Sequence, residues 1–342
     1  MANSKTTRSS LRSVAQRAGL SVTTVHQVLN NKGSNFISEE TRKRVRQVAE
    51  EMGYRPNIGY KLMRGEKTRI VAVLASTEHL RRRNPFTELI VSLVDRLDKL
   101  GYVTYFSILQ YSPESNLKKI RELLARGAEH FIMVGNPIGF ELLEEEIAKA
   151  QRTLVCCGNV FQRQVSHETV KSKIDIFRFF LDRGHRNIKC LCQESLVYSI
   201  YGYLEALKTC FPELAEAELV QKFICVYPDP DVHNDDISEQ EFRQGIDSTR
   251  KMLAEHPQTD AIFYANDTMA LGGVKYLFGN GYQIGSEILV AGFYNLPAVQ
   301  QYCLPISSIA YDLEKVEEQL LKHAFDDAPC HEIIPTITYI RE

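Results

Sequence analysis

Apolar positions recur at helical spacing over the first fifty residues, and after residue 68 they gather into short runs of strand length. Leu11, Val14, Ala15 and Ala18 make one stripe and predict a first helix, with Gly19 able to sit left-handed just past its end. Ser21 then stands where a hydroxyl can accept a freed backbone N–H and open a second helix. In that helix Val25, Val28 and Leu29 face one way, and Val22, Thr23, His26 and Gln27 the other, with Asn30 one turn on. Ser38-Glu39-Glu40-Thr41 predicts a third start, with a cap and two acids at the positive end of the dipole. Val45, Val48, Ala49 and Met52 supply its stripe and Gly53 its end. Two short helices about a glycine turn, the second with a polar outer face, have the layout of a helix-turn-helix.

Downstream the pattern alternates. Ile70–Ala75, Val103–Leu109, Phe131–Gly135, Leu154–Gly158, Ile188–Cys192, Ala261–Ala265 and Ile288–Phe293 read as strands bounded by turn residues. Between them Pro85–Lys99, Ser115–Arg126, Thr169–Asp182, Val197–Thr209, Ser238–Glu255 and Thr268–Asn280 read as helices. Such alternation calls for parallel sheets covered on both faces. About seven units exceed one small doubly wound sheet and predict two lobes. The expected organisation is a disordered polar N-terminus over 1–9, an all-α head over 10–56, a connector over 57–67 and an α/β body over 68–342.

Composition adds one asymmetry. Residues 1–67 carry 13 Lys/Arg against 5 Asp/Glu, a net of +8, leaving −10 for the rest of a chain whose total is −2. A basic head whose charges sit among periodic apolar residues points to a polyanionic partner for the head alone. No apolar run reaches the length of a membrane span and no leader is evident, so a cytoplasmic protein is expected. The eight cysteines follow no framework spacing; Cys156-Cys157 and Cys190-Leu191-Cys192 lie in predicted strands and read as buried free thiols. Walker A, G-x-S-x-G and G-x-G-x-x-G patterns are absent, so an enzyme is not expected, and no cofactor is implied. Ser166-His167-Glu168 cannot work as a triad, because adjacent side chains cannot stack as nucleophile, base and orienter. Asp229–Asp236 reads as a loop whose ligand spacing is too irregular for calcium, and no metal site is expected.

The run from Ser21 to Asn57, SVTTVHQVLNNK through SEETRKRVRQVAEEMGYRPN, resembles the DNA-binding head of the lactose-repressor (LacI/GalR) family of transcription regulators. Five further stretches resemble family signatures: Asn84-Pro85-Phe86, Leu100-Gly101-Tyr102, Arg183 to Ile188, Ala265 to Gly272, and Leu304 to Ile309. The resemblance covers about residues 10–325. It implies a periplasmic-binding-protein-like (type I) body of two lobes joined by three crossovers. Lobe one would take about 68–165 plus 309–326, and lobe two about 166–308 plus the C-terminal strand. It also implies a homodimeric repressor on a roughly palindromic double-stranded operator, controlled by a small effector, sugar-like or nucleoside-like, bound between the lobes.

By this resemblance Val22, Thr23 and Gln27 read base edges, with His26 beside them where the family usually has serine. Ser21, Thr24 and Asn30 contact phosphates and position the helix. Residues 57–64 form a hinge helix on DNA: Asn57 opens it, Met63 is the minor-groove wedge and Leu62 the neighbouring apolar alternative. Gly59 and Tyr60 depart from the small or β-branched pair expected there. Effector contacts fall on Ser76, Phe86, Asn136, Asn159, Ser199, Asn266 and Tyr294, with Asn84 on the first lobe's edge and Asp267 read as the cap of the helix starting at Thr268. Ser199 and Tyr294 replace the arginine and aspartate that usually orient polyhydroxylated or ionic ligands. Three readings follow: a less polar effector stacked on Tyr294 and Phe86, a sugar held by neutral Asn and Ser groups, or a cleft that senses no small molecule. A solute-binding protein with a vestigial head is the alternative from another functional class.

Overall fold

The computed structural model describes residues 9–29, 36–54, 66–82, 84–194, 197–229, 236–301 and 305–342, and the chain divides into two units at Thr68 and Arg69. The first unit holds α1 (Leu11–Ala18), α2 (Val22–Leu29) and α3 (Glu39–Glu51). Each has a serine at its start. Ser10 Oγ accepts from Ser13 N (3.1 Å), Ser21 Oγ from Thr24 N (3.0 Å) and Ser38 Oγ from Thr41 N (3.2 Å). Gly19 takes φ 66° and its N–H returns to the last carbonyls of α1, which sets the turn into α2. Val14, Ala15, Ala18, Val25, Val28, Val45 and Ala49 form the core that the three helices share.

In the second unit the first sheet orders its strands β11-β5-β4-β3-β1-β2: β1 (Ile70–Ser76), β2 (Val103–Leu109), β3 (His130–Val134), β4 (Thr153–Cys157), β5 (Gln164–Glu168) and β11 (His331–Pro335). The second orders β12-β10-β9-β8-β6-β7: β6 (Ile188–Gln193), β7 (Ile224–Tyr227), β8 (Ala261–Tyr264), β9 (Leu289–Phe293), β10 (Ile306–Ala310) and β12 (Ile337–Tyr339). All pairings are parallel except β10 with β12. Successive β1 residues serve opposite faces, as a strand's period of two requires. Val71, Val73 and Ala75 pack with helices Phe86–Lys99 and Leu313–Ala324, while Ile70, Ala72 and Leu74 pack with Pro113–Ala125 and Phe140–Lys149. In the second sheet Cys190, Phe263 and Ala291 meet Val170–Asp182 and Val197–Cys210, and Leu191, Ile262 and Val290 meet Ile237–Glu255 and Asp267–Gly279.

Three short links join the sheets, at Thr169, at Tyr311-Asp312 and at Thr336. Thr336 ties two of them together, its Oγ1 donating to Glu168 O (2.9 Å) and hydrogen-bonded to Ser172 Oγ (2.8 Å). The lobes differ from the sequence reading at these links. Strand β5 keeps residues 164–168 in the first sheet, and the C-terminal segment is shared, β11 adding to the first sheet and β12 to the second. The expected C-terminal strand of the second lobe is β12, whereas strands β5, β7, β10 and β11 were not expected. β5, β10 and β11 mix polar residues into their runs, as in Gln164-Val165-Ser166-His167-Glu168, while β7 is apolar but only four residues long, so each depends on pairing with its neighbour.

Candidate nucleic-acid interface and interlobe cleft

On α2 the outward side chains are Val22 (38% exposed), Thr23 and, half-buried, Gln27. Ser21 and Thr24 face solvent at the helix start, with their hydroxyls 2.8 Å apart. This N-terminal turn, with open N–H groups and short polar side chains, fits a phosphate and the edge of a groove. His26 is different from its expected place on the reading face. It is 6% exposed, and its Nε2 lies 3.3 Å from Glu66 Oε1. A buried imidazole facing a carboxylate packs the head and does not present itself to a base. Asn30, Asn57, Gly59, Tyr60, Leu62 and Met63 lie outside the described residues.

In the body the expected effector residues divide. Asn136 and Asn159 are exposed and joined, Asn136 Nδ2 donating to Asn159 Oδ1 (2.8 Å). Ser76 is buried, its Oγ 2.7 Å from His79 Nδ1. Phe86, expected as a stacking surface, lies in the first lobe's core, with ring centroids 5.4 Å from His79, 6.2 Å from His167 and 5.1 Å from Tyr311. Burial pushes His167 down to about 4, so its ring is neutral at pH 7 and serves as part of this aromatic floor. Ser199 belongs to the helix Val197–Cys210, but its side chain lies outside what is described.

Asn266, and not Asp267, caps the helix of the second lobe: its Oδ1 accepts from Met269 N (2.9 Å) while its Nδ2 donates to Glu241 Oε1 (3.1 Å). Asp267 is already in the helix and turns inward, which the cap reading missed because both residues are good caps in the same sequence window. Tyr294 adopts φ 101°, and its ring packs against Phe293 and Tyr311. It lines a cavity of about 230 Å³ together with Asn84, Glu88, Asn295, Gln300 and Tyr339.

The cleft also holds residues that the sequence did not single out. Arg82 of the first lobe is ion-paired with Glu241 of the second, and its Nη1 donates to Gln193 Oε1 at 3.3 Å. Both partners are buried. Burial pushes the Glu241 carboxyl up, opposed by the Arg82 charge and by hydrogen bonds from Gln193, Arg82 and Asn266. Arg81-Arg82-Arg83 reads as a solvated charge run and Glu241 as one of many acids on an amphipathic helix, so pattern alone gave no signal. Among the described residues no group of three or more His, Cys, Asp or Glu is placed to hold a metal ion, and no helix is long and apolar enough to cross a membrane. Cys156, Cys157, Cys190 and Cys192 are buried and unpaired, burial pushing the Cys157 and Cys192 thiols up to about 12.

A three-helix head with a short polar reading helix, followed by two parallel-sheet lobes sharing three crossovers, defines a DNA-binding transcription regulator with a periplasmic-binding-protein-like body. Residues 10–57 match the profile of bacterial regulatory proteins of the lacI family, and residues 177–329 that of the periplasmic binding protein-like domain. The chain belongs to the lacI family. It is 24% identical over 314 residues to the HTH-type transcriptional regulator DegA of Bacillus subtilis, covering 89% of this chain and 86% of that one. It is 23% identical over 323 residues to the repressor CytR of Escherichia coli strain K12, covering 90% and 86%. Its fold is similar to that of the lac repressor dimer bound to operator and the anti-inducer ONPF, with a TM-score of 0.77, 20% identity and coverage of 97% and 98%. A CelR–cellobiose complex matches with a TM-score of 0.64 at 19% identity, covering 98% and 99%.

Proposed function

We propose that this regulator is a cytoplasmic homodimeric repressor, each head reading one half of a roughly palindromic operator. The observation that carries the reading is the outer face of α2, where Val22, Thr23 and Gln27 remain accessible while Val25 and Val28 are fully buried. Val22 meets a thymine methyl and Gln27 an adenine edge, and Ser21 and Thr24 take phosphates. Asn30, and at the hinge Asn57, Met63 and Leu62, keep the DNA roles that the family resemblance implies. Apolar side chains left exposed on the first lobe support the dimer: Val91, and Phe106 and Ile108, which share one face of the edge strand β2.

The cleft is the regulatory site, and lobe closure trades DNA affinity against ligand affinity by linkage. Ser76, Asn136, Asn159 and Asn266 offer hydroxyl and amide groups, with Tyr294 where a carboxylate usually stands. Without the arginine and carboxylate that usually orient a polyhydroxylated ligand, this set is expected to bind simple free hexoses weakly or not at all. The test is a shift assay with the full chain and with residues 69–342 on DNA recovered by footprinting. The full chain is expected to bind specifically and the truncated chain to stay folded without binding. Specific binding by the truncated chain would overturn the reading.

A further inference from the structure

The segment Thr77–Arg82 leaves the end of β1 on the side that meets the second lobe. His79 sits 2.7 Å from Ser76 Oγ and edge-on to Phe86, and it lies so close to Gly135 that an added Cβ would meet its Nδ1 at 2.6 Å. Arg82 then crosses to the second lobe, where three side chains converge from three elements: Gln193 at the end of β6, Glu241 in Ile237–Glu255 and Asn266 at the start of Asp267–Gly279. Gln193 Nε2 donates to Gln244 Oε1 (2.9 Å), which turns its carbonyl oxygen toward Arg82. Asn266 Nδ2 holds Glu241 Oε1 from the other side. A second lobe-to-lobe contact, Ser238 Oγ to Arg81 O (3.5 Å), lies beside the pair.

The Glu241 carboxylate and the Gln193 amide oxygen both accept from Nη1 of Arg82, so one edge of the guanidinium is held between them. Arg82 is 8% and Glu241 1% exposed, so separating them while the lobes stay closed would strand a buried charge. Opening the lobes returns both to water. The pair therefore fixes the closure angle more than it adds stability. We propose that Gln193, Glu241 and Asn266 form a guanidinium-binding site in the second lobe and that Arg82 of the first lobe is its resident ligand. The chain thus latches its own lobes closed, and the small molecules that compete are guanidines. This inference is independent of the operator reading, because it is read out on ligand binding and lobe angle.

The test uses the full chain. Methylguanidinium chloride is titrated into the Arg82→Ala protein, the Arg82→Ala/Glu241→Gln protein and the unsubstituted chain, and thermal unfolding is followed. Guanidinium salts lower Tm generally, so the double variant sets the background. At tenfold excess over its Kd, the ligand is expected to raise the Tm of Arg82→Ala by about 3 °C relative to that background. The unsubstituted chain is expected to follow the background, because its own arginine holds the site. Equal responses of the two variants would overturn the proposal. Should Arg82→Ala not fold, Arg82→Met keeps the aliphatic bulk, and small-angle scattering reads the lobes. A larger radius of gyration than that of the unsubstituted chain is expected, and an unchanged radius would overturn the latch.

Discussion

Asp267 accepts a hydrogen bond from Ser308 Oγ at 2.7 Å, deep inside the second lobe. Its other oxygen accepts from Leu296 N, also at 2.7 Å, and Gly292 leaves the room that the carboxyl occupies. One side chain thereby joins the first turn of a cleft helix, the loop after β9, and the strand that leads into the Tyr311 crossover. A residue that looks like a helix cap from sequence is instead a brace between the cleft and a hinge.

Burial pushes the Asp267 carboxyl up to about 7, against the pull of its hydrogen bonds to Ser308 and Leu296. In the unfolded chain it titrates near 4. The folded protein thus binds this proton more tightly, and the stability it contributes is full below about pH 4 and lost as pH rises to about 7. Asp267→Asn is expected to remove that part of the slope. Unfolding followed by calorimetry across this window checks it, and identical slopes in the two proteins would exclude a raised Asp267.

Gln27 is expected to read one base pair. Gln27→Ala should relax preference at a single operator position at a cost of about 1–3 kcal/mol, leaving the other positions unchanged. Competition binding against a panel of singly substituted operators measures this. A loss of equal size on every sequence would reassign Gln27 to the phosphates.

The two periodicities made the fold legible. Helical stripes such as Val14, Ala15 and Ala18, and strand runs such as Ile70–Ala75, name their own elements. Other parts depend on partners distant in sequence. His26 has the polarity of a reading residue, yet the approach of Glu66 decides its burial. Arg82 and Glu241 are 159 positions apart, and no local pattern reports that both are dry. Strand β10, Ile306-Ser307-Ser308-Ile309-Ala310, hides two buried serines whose hydroxyls are used by Arg341 and Asp267. Polar residues that are satisfied inside a core look the same in sequence as polar residues in water.

A backbone position offers a stabilising change. Gln151 follows the helix Phe140–Lys149 with φ 55°, donating its N–H to Ala148 O at 2.9 Å. Its side chain is exposed, so only the left-handed conformation is at stake. Gln151→Gly is expected to raise stability by about 1 kcal/mol, the usual cost of a Cβ in this region less the greater freedom of glycine in the unfolded chain. Urea unfolding measures it, and a loss of stability would show that the entropy of the unfolded chain outweighs the strain.

Lys173 is 2% exposed, and the acceptor its Nζ meets is Thr169 Oγ1 at 2.7 Å. The ammonium lies over the faces of Tyr203 and Phe293, 5.2 and 5.6 Å from their centroids, and Gly202 makes space for it, since an added Cβ would come within 2.8 Å of Nζ. Burial pushes the amine down to about 8. At pH 7 the charged form is therefore held at a cost on the order of 3 kcal/mol, after the ring faces and Thr169 have contributed. Because the unfolded chain keeps the proton to higher pH, stability is expected to rise between about pH 8 and 10. Lys173→Met keeps the length and removes the charge, so it should leave stability at pH 7 unchanged or raise it by about 1–3 kcal/mol and flatten that rise. Gly202→Ala should cost about 1–3 kcal/mol by overpacking in the original chain, and less once Lys173 is shortened to alanine. Denaturant unfolding of the original chain, Lys173→Met, Gly202→Ala, Lys173→Ala and the Lys173→Ala/Gly202→Ala protein measures both effects. A loss of more than about 2 kcal/mol on Lys173→Met would show that the rings and Thr169 more than offset the dehydration of the ammonium.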